Sequence, residues 1–367
     1  MHPRVGSNRS TVIIGTGCYI PERVIKNTDF LNHTFYDLDG TKIDKTPEEI
    51  VEKFEEITGI KERRYVTDNL LTSDIAFFAA EQALESSKID RESLDYIICA
   101  HNFGDVRPDI KRVDLVPSIA ARVKNKLRIE NPKTVAYDLP FGCPGWLEGM
   151  IHADAFIKAG IAKRVMIIGA ETLSRVTDLH DRDTMIFADG AGATIVEGQE
   201  TGGKRGIISH STRSDTYNHC HLLTMGKSHN PEYTGNELFL KMHGHQLYKY
   251  ALKVVPTLIK ESIEKAGLTI EDIDSVLLHQ ANEKMDVEIL KRLFRLYGIR
   301  RPDPELISRI MPMSISWLGN SSVATVPTLI DLIMKHKMVD YSLSEGDTAV
   351  LASVGAGMNA NAIVYRF

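Results

Sequence analysis

Cysteine and tryptophan are scarce in this chain, with four and two respectively in 367 residues. Cys18, Cys99, Cys143 and Cys220 lie far apart and form no Cys-x-x-Cys pair. That fits reduced thiols in a cytosol rather than a disulfide framework. An excess of positive charge is also missing. The net charge of −5 argues against nucleic acid as the main partner. Long apolar runs are absent too. After the polar start Met1-His2-Pro3-Arg4, the run Thr11–Ile14 is too short for a secretory signal. No stretch nears the roughly 20 apolar residues of a membrane helix. The expectation is a soluble cytoplasmic protein with neither nucleic acid nor membrane among its partners.

What remains is a globular composition, 43% hydrophobic and 25% charged. The length exceeds one ordinary core, so two domains or a duplicated one are expected. Apolar, β-branched runs read as strands at 11–14, 96–100, 134–137, 165–169, 193–197, 206–211, 275–278, 348–353 and 362–365. Helical patterns lie between them, as at 71–87, 118–127, 147–159 and 248–266. The alternation predicts an α/β protein with largely parallel sheets. The two halves echo each other. Tyr96-Ile97-Ile98-Cys99-Ala100-His101-Asn102 resembles Val276-Leu277-Leu278-His279-Gln280-Ala281-Asn282, and the run from Asp189 to Val196 resembles that from Gly355 to Ala362. A duplication is expected, with a seam near Glu200-Thr201-Gly202-Gly203 dividing 1–203 from 204–367.

Three places carry chemistry. Cys143 follows a strand and a tight turn, Asp138-Leu139-Pro140-Phe141-Gly142, and precedes a helical stretch. The open N–H groups and positive dipole end of a helix N-terminus favour a thiolate, which makes Cys143 a candidate nucleophile. His279 ends a short strand, with a helix from Glu283 to Tyr297 after it. Asn320 sits in the turn Gly319-Asn320-Ser321-Ser322, where another helix starts. Each is a polar residue at a sheet edge, where α/β proteins bind ligands. A lone cysteine, histidine or asparagine is more often structural. Three at equivalent edges, one a nucleophile, favour a catalytic set.

These residues, in this order, resemble the β-ketoacyl-acyl-carrier-protein synthase III family of the thiolase superfamily. The likeness rests on Cys143, His279-Gln280-Ala281-Asn282 and Gly319-Asn320-Ser321-Ser322. It extends to Thr58-Gly59-Ile60-Lys61-Glu62-Arg63, Phe187-Ala188-Asp189-Gly190-Ala191-Gly192-Ala193 and the turn Ser353-Val354-Gly355-Ala356-Gly357. The resemblance implies a duplicated thiolase-like fold, five layers α-β-α-β-α with two mixed sheets. It implies acyl transfer from an acyl thioester (on coenzyme A or a carrier protein) to Cys143. A decarboxylative Claisen condensation with malonyl-acyl carrier protein would follow, in fatty-acid or specialised lipid or polyketide biosynthesis. His279 and Asn320 would hold the malonyl thioester carbonyl, and backbone N–H groups of Cys143, Ala356 and Gly357 would form the oxyanion hole. Arg175, Lys284, Lys291 and Arg292 would bind the substrate carrier, and Val116 would border the acyl pocket. No metal and no cofactor are implied, and the enzyme would be a homodimer. Retained fold with changed reaction gives the alternatives: a 3-hydroxy-3-methylglutaryl-coenzyme A synthase-like enzyme, another acyltransferase, a head-to-head condensing enzyme or, from another class, a non-catalytic ketosynthase partner subunit.

The chain departs from the family pattern in places. Lys53 and Ile57 stand where the family often has Trp and Arg, and Glu55-Glu56 would repel the phosphates of coenzyme A. The segment 102–115 is longer than its counterpart, and Val116 stands where an aromatic residue is common, which points to a larger acyl group. Other motifs are set aside. Asp37-Leu38-Asp39-Gly40-Thr41 matches a phosphatase signature but lacks the apolar strand before it. Gly15-Thr16-Gly17 lacks the third glycine of a dinucleotide loop. His219-Cys220-His221 reads as a loop or packed strand rather than a metal site, and His243 and His245 as ordinary helix residues.

Overall fold

The computed structural model describes residues 9–367; the start Met1–Arg4 lies outside the described residues. Five strands make the first sheet: Ser10–Tyr19 (β1), Tyr96–His101 (β2), Val135–Pro140 (β3), Arg164–Thr172 (β4) and Asp189–Gln199 (β5). Four make the second: Gly206–Ser214 (β6), Ser275–Leu278 (β7), Thr348–Gly355 (β8) and Asn359–Arg366 (β9). Their orders are β1-β5-β4-β2-β3 and β6-β9-β8-β7. In the first sheet β1 and β4 run antiparallel to β5, while β4, β2 and β3 are parallel. In the second, β6 and β8 run antiparallel to β9, and β8 is parallel to β7. The same sequence of directions thus occurs twice, as a duplication requires. Both sheets are mixed. The expectation of largely parallel sheets fails because β5 and β9 return beside the preceding strand through short 3-10 turns, with no helix between.

Two helices lie between the sheets: Gly145–Lys158 and Thr325–Met334. The second is buried from Thr325 to Ile333, as befits a helix apolar on all sides. One core cluster joins Trp146, Met150 and Leu329 with Ile167 of the first sheet and Leu351 of the second. Thr72–Ser87 and Ile119–Lys126 cover the outer face of the first sheet, and Gly244–Lys265 with Glu283–Leu296 cover that of the second. The layers therefore run α-β-α-β-α. In chain order from Pro47–Thr58 (α1), the α-helices of eight or more residues among the described residues are α2 (72–87), α3 (119–126), α4 (145–158), α5 (244–265), α6 (283–296) and α7 (325–334).

Local chemistry explains the ends that matter. Asn282 caps α6 by accepting the Met285 N–H at 3.0 Å. Asp138 on β3 accepts the Ile119 and Ala120 N–H groups at 2.7 and 2.8 Å, which holds the start of α3 against the strand that leads to Cys143. Gly169 on β4 has no room for a Cβ, which would fall 2.4 Å from the Val323 carbonyl oxygen. That close approach lays the turn 322–324 directly on the first sheet. No helix among the described residues is long and apolar enough to cross a membrane.

Candidate active site

A cavity of about 1130 Å³ opens where the strand ends of both halves meet, and Cys143, His279, Asn320, Gly355 and Ala356 all line it. Asn102 and Ser322 line it too. Pockets for small ligands run from about 300 to 1,000 Å³, so this one has room for an extended thioester. Phe54, Leu173, Phe187, Met225 and Met285 give it apolar walls.

Cys143 sits in the turn between β3 and α4, one residue before Pro144, the N-cap. Gly142 makes the turn at φ +73. A Cβ on Gly142 would lie 2.9 Å from the Ala356 nitrogen, and one on Gly355 would lie 2.5 Å from the Cys143 nitrogen. The Cys143 turn and the 355–357 turn therefore pack backbone against backbone. The helix start was expected to favour a thiolate; in the structure burial wins and holds the thiol up at about 11. The Ser322 hydroxyl pulls it down and the charge of Glu171 pushes it further up. Cys143 rests as a thiol.

His279 extends the β7–β8 ladder by donating its backbone N–H to Ala352 at 2.8 Å. Burial pushes its imidazole down to about 4, so the ring is neutral near pH 7. Gln280 is wholly buried. It donates to the Pro312 carbonyl at 2.7 Å and accepts the Ser314 N–H at 2.8 Å. In His279-Gln280-Ala281-Asn282, Gln280 thus pins the loop and Asn282 caps the helix, and both fix where His279 points. Asn320 is held in register by Ala188 N–H donating to its carbonyl at 2.8 Å. Its side-chain oxygen accepts the Ser322 N–H at 2.8 Å. That fixes the amide orientation and leaves its NH₂ donor end for the cavity.

The remaining predicted positions fall differently. Ala356 is not among the positive-φ residues, so its N–H needs no strained backbone; Gly357 takes the left-handed position at φ +76 and lies off the cavity wall. Val116 corrects the acyl-pocket expectation: it is 85% exposed and lines no part of the cavity. The 102–115 segment forms a hairpin of Asp105–Val106 on Val113–Asp114; Val106 packs inward against Leu173 and Phe187, while Val116, beyond the second strand, stays at the surface. Arg175 is corrected as well. Its guanidinium donates to the carbonyls of Val106, Thr67 and Leu70, away from the cavity. Arg292 is tied to Glu288 and to the Leu252 carbonyl. Lys284 is exposed and faces Glu56 at 3.8 Å, and Lys291 is half-buried. Lys53 and Ile57 line the cavity.

Some motifs set aside also land elsewhere. Asp37, Leu38 and Asp39 border the cavity. His243 is the N-cap of α5, and His245 reaches the cavity wall. Thr216–His219 and Cys220–Leu222 form two short helical turns rather than a strand. Among the described residues no three His, Cys, Asp or Glu side chains group to hold a metal ion.

Sequence reasoning missed a buried polar set behind the sulfur. Glu171, at the end of β4, is fully buried and its carboxyl is raised by burial to about 7. It accepts the Asn102 N–H at 2.8 Å. His101 bonds Asp138 at 2.9 Å through Nε2 and takes the Gly104 N–H at 2.9 Å through Nδ1. A charge closing an apolar strand, Ala170-Glu171-Thr172, was the available signal, since such strand ends border ligand sites.

A duplicated, five-layered fold with cysteine, histidine and asparagine around one cavity defines a thiolase-fold condensing enzyme. The chain belongs to the β-ketoacyl-acyl-carrier-protein synthase III family. It matches the family described as 3-oxoacyl-[acyl-carrier-protein (ACP)] synthase III over residues 137–216, and the C-terminal part of that family over residues 263–367. The β-ketoacyl-[acyl-carrier-protein] synthase III of Staphylococcus haemolyticus is 33% identical over 356 residues, covering 97% of this chain and 98% of that protein. The protein of the same name from Allorhizobium ampelinum is 31% identical over 361 residues, covering 97% and 99%. The crystal structure of 3-oxoacyl-[acyl-carrier-protein] synthase III from Aquifex aeolicus superposes with a TM-score of 0.77 at 30% identity, covering 97% of this chain and all of that one.

Proposed function

We propose that this condensing enzyme transfers an acyl group to Cys143 and joins it to the carbanion released from malonyl-acyl carrier protein. The observation that carries the reading is the convergence of Cys143, His279, Asn320 and Ala356 on one apolar-walled cavity. Cys143 attacks the acyl thioester, and the thiol proton leaves with the departing carrier thiol. The neutral imidazole of His279 and the NH₂ of Asn320 donate to the malonyl thioester oxygen. Their bonds strengthen as carbon dioxide departs and charge gathers on that oxygen, so they lower the barrier rather than merely bind. The carbanion then attacks acyl-Cys143, and the backbone N–H groups of Cys143 and Ala356 receive the tetrahedral oxyanion.

In this reading the chain acts with an acyl carrier protein, as a cytoplasmic homodimer, and uses no cofactor beyond its thioester substrates. Glu55 and Glu56, beside Lys53 and Ile57 on the cavity wall, disfavour the several phosphates of coenzyme A and favour a carrier-borne donor. The volume of the cavity favours an acyl group larger than acetyl. The test is intact-mass spectrometry after incubation with acyl-coenzyme A and acyl-carrier thioesters. The expected result is a single acyl adduct that vanishes in Cys143→Ala, its mass naming the donor. A folded protein that takes no acyl group from any thioester would refute the reading.

A further inference from the structure

The sulfur of Cys143 has a hydrogen-bond partner that the condensing mechanism above does not use. Ser322 Oγ lies 3.2 Å from Cys143 Sγ. The same oxygen receives Asn102 Nδ2 at 3.1 Å, and that NH₂ also donates to Glu171 Oε2 at 2.5 Å. The backbone N–H of Asn102 ends on the same Oε2 at 2.8 Å. An amide NH₂ only donates, so Ser322 Oγ accepts from Asn102 and its single hydrogen is left for the sulfur. The chain has one direction: Asn102, anchored on Glu171, donates to Ser322, and Ser322 donates to Cys143. Ser322 is almost fully buried and sits at φ +54, a backbone conformation uncommon for serine.

We propose that Ser322 is a catalytic residue, the hydrogen-bond donor to the Cys143 thiolate, and that Asn102 and Glu171 are positioning residues that fix the direction of its hydroxyl. The role rests on the acyl-transfer reading, and two steps need it. In acylation the bond from Sγ to the acyl carbon forms, the acyl bond to the carrier sulfur breaks, and the thiol proton leaves with the carrier sulfur. In condensation the new carbon–carbon bond forms, the acyl carbon–Sγ bond breaks, and its electron pair returns to Sγ. Anionic sulfur enters the first step and leaves the second, and a donor already aimed at it stabilises both transition states. Polarised in series, the bonds of such a chain reinforce one another.

The titratable groups around the sulfur are His279 on the loop after β7 and Glu171 on β4, with His101 and Asp189 behind Glu171. Among the described residues Glu171 Oε1 has no hydrogen-bond partner, and both bonds fall on Oε2. Burial favours its protonated form, and a proton on Oε1 leaves Oε2 free to accept both.

The test is the rate–pH profile of iodoacetamide alkylation at Cys143, followed by peptide mass, in the whole protein. Half-buried Cys220 serves as internal control. Ser322→Ala removes the hydroxyl. Ser322→Gly removes it and suits φ +54, so one variant at least keeps its fold. A charge-assisted bond of this kind is worth about one pH unit in the thiol, so both variants should move the profile up by about one unit. Asn102→Ala should move it the same way by less, while Cys220 and the melting temperature stay unchanged. An unmoved Cys143 profile in folded Ser322→Gly overturns the donor role. A shift in the Ser322 variants with none in Asn102→Ala overturns the positioning role. The assay uses no acyl donor, so either failure leaves acyl transfer to Cys143 to stand or fall on the adduct experiment.

Discussion

At the scale of the residue, burial shifts the ionisation of the groups around the cavity toward their neutral forms. His279 is held neutral, with its pKa down at about 4, and in the proposed mechanism it donates a hydrogen bond without carrying a charge into an apolar cavity. Replacing His279 or Asn320 by alanine should slow malonyl decarboxylation on the order of a hundredfold to a thousandfold, with acylation of Cys143 far less affected. Timed release of labelled carbon dioxide beside the acyl-adduct mass separates the two steps. Glu171 gives a prediction in stability. Its folded pKa of about 7 lies above the ordinary carboxylate value of about 4.5, so the native state binds more protons than the unfolded state between those values. The native carboxyl therefore loses stability as pH rises through that window, by roughly 3 kcal/mol in all. Urea melts of wild type and Glu171→Gln at several pH values isolate the term. The wild type should lose stability relative to the variant from about pH 4.5 to 7 and run parallel outside that range. A constant difference would mean that the buried carboxyl titrates normally.

At the scale of the element, two turns decide the geometry of the nucleophile. The Cys143 turn and the 355–357 turn touch through backbone because Gly142 and Gly355 bring no side chains to the contact. Gly142→Ala adds a Cβ at φ +73 and 2.9 Å from the Ala356 nitrogen. The left-handed conformation alone costs about 1 to 2 kcal/mol. The clash must also push the Ala356 N–H away from the oxyanion position. The expected outcome is a modest loss in melting temperature with a much larger loss in condensation rate; equal losses in both would show that the turn is merely structural. The loop after β7 works alike: Gln280 is locked at both ends of its amide, so His279 is aimed by a neighbour that never meets substrate.

At the scale of the whole molecule, the two sheets sandwich α4 and α7, and the site lies where the ends of both halves converge. Leu329 of α7 is wholly buried between the sheets. Leu329→Ala should destabilise the protein by about 2–5 kcal/mol, read as a lower urea midpoint. An acidic enzyme needs a local basic surface to meet an acidic carrier. Lys284, beside Met285 of the cavity wall, is an exposed candidate at 59% side-chain exposure. Charge reversal, Lys284→Glu, should raise KM for the carrier-borne substrate several-fold at low salt, leave kcat nearly intact and lose its effect as salt rises. An unchanged KM would move the docking surface elsewhere.

Much of this protein is determined by sequence alone. Local order is written in periodicity: β7 occupies Ser275–Leu278 as read from its residues, and α2, α3 and α6 fall within a residue or two of their patterns. Cys143, His279 and Asn320 are legible because each closes a strand or turn before a helix. Where extended pairing partners prolong an element, the sequence falls short. β1 runs on through Gly15 and Gly17 to Tyr19 because it pairs with β5 as far as Ala191, and β5 starts at Asp189 because that residue pairs with Thr172 of β4. Only the tertiary structure decided which side chains surround the sulfur. Ser322 lies 179 residues from Cys143, and Asn102 lies 69 from Glu171. No local pattern encodes a bond across that separation; it exists because packing the sheets, with Gly169 admitting the 322–324 turn, brings those residues together. The same packing turned Cys143 from the expected thiolate into a thiol and carried Val116 out to the surface, because burial and chain path belong to the folded whole.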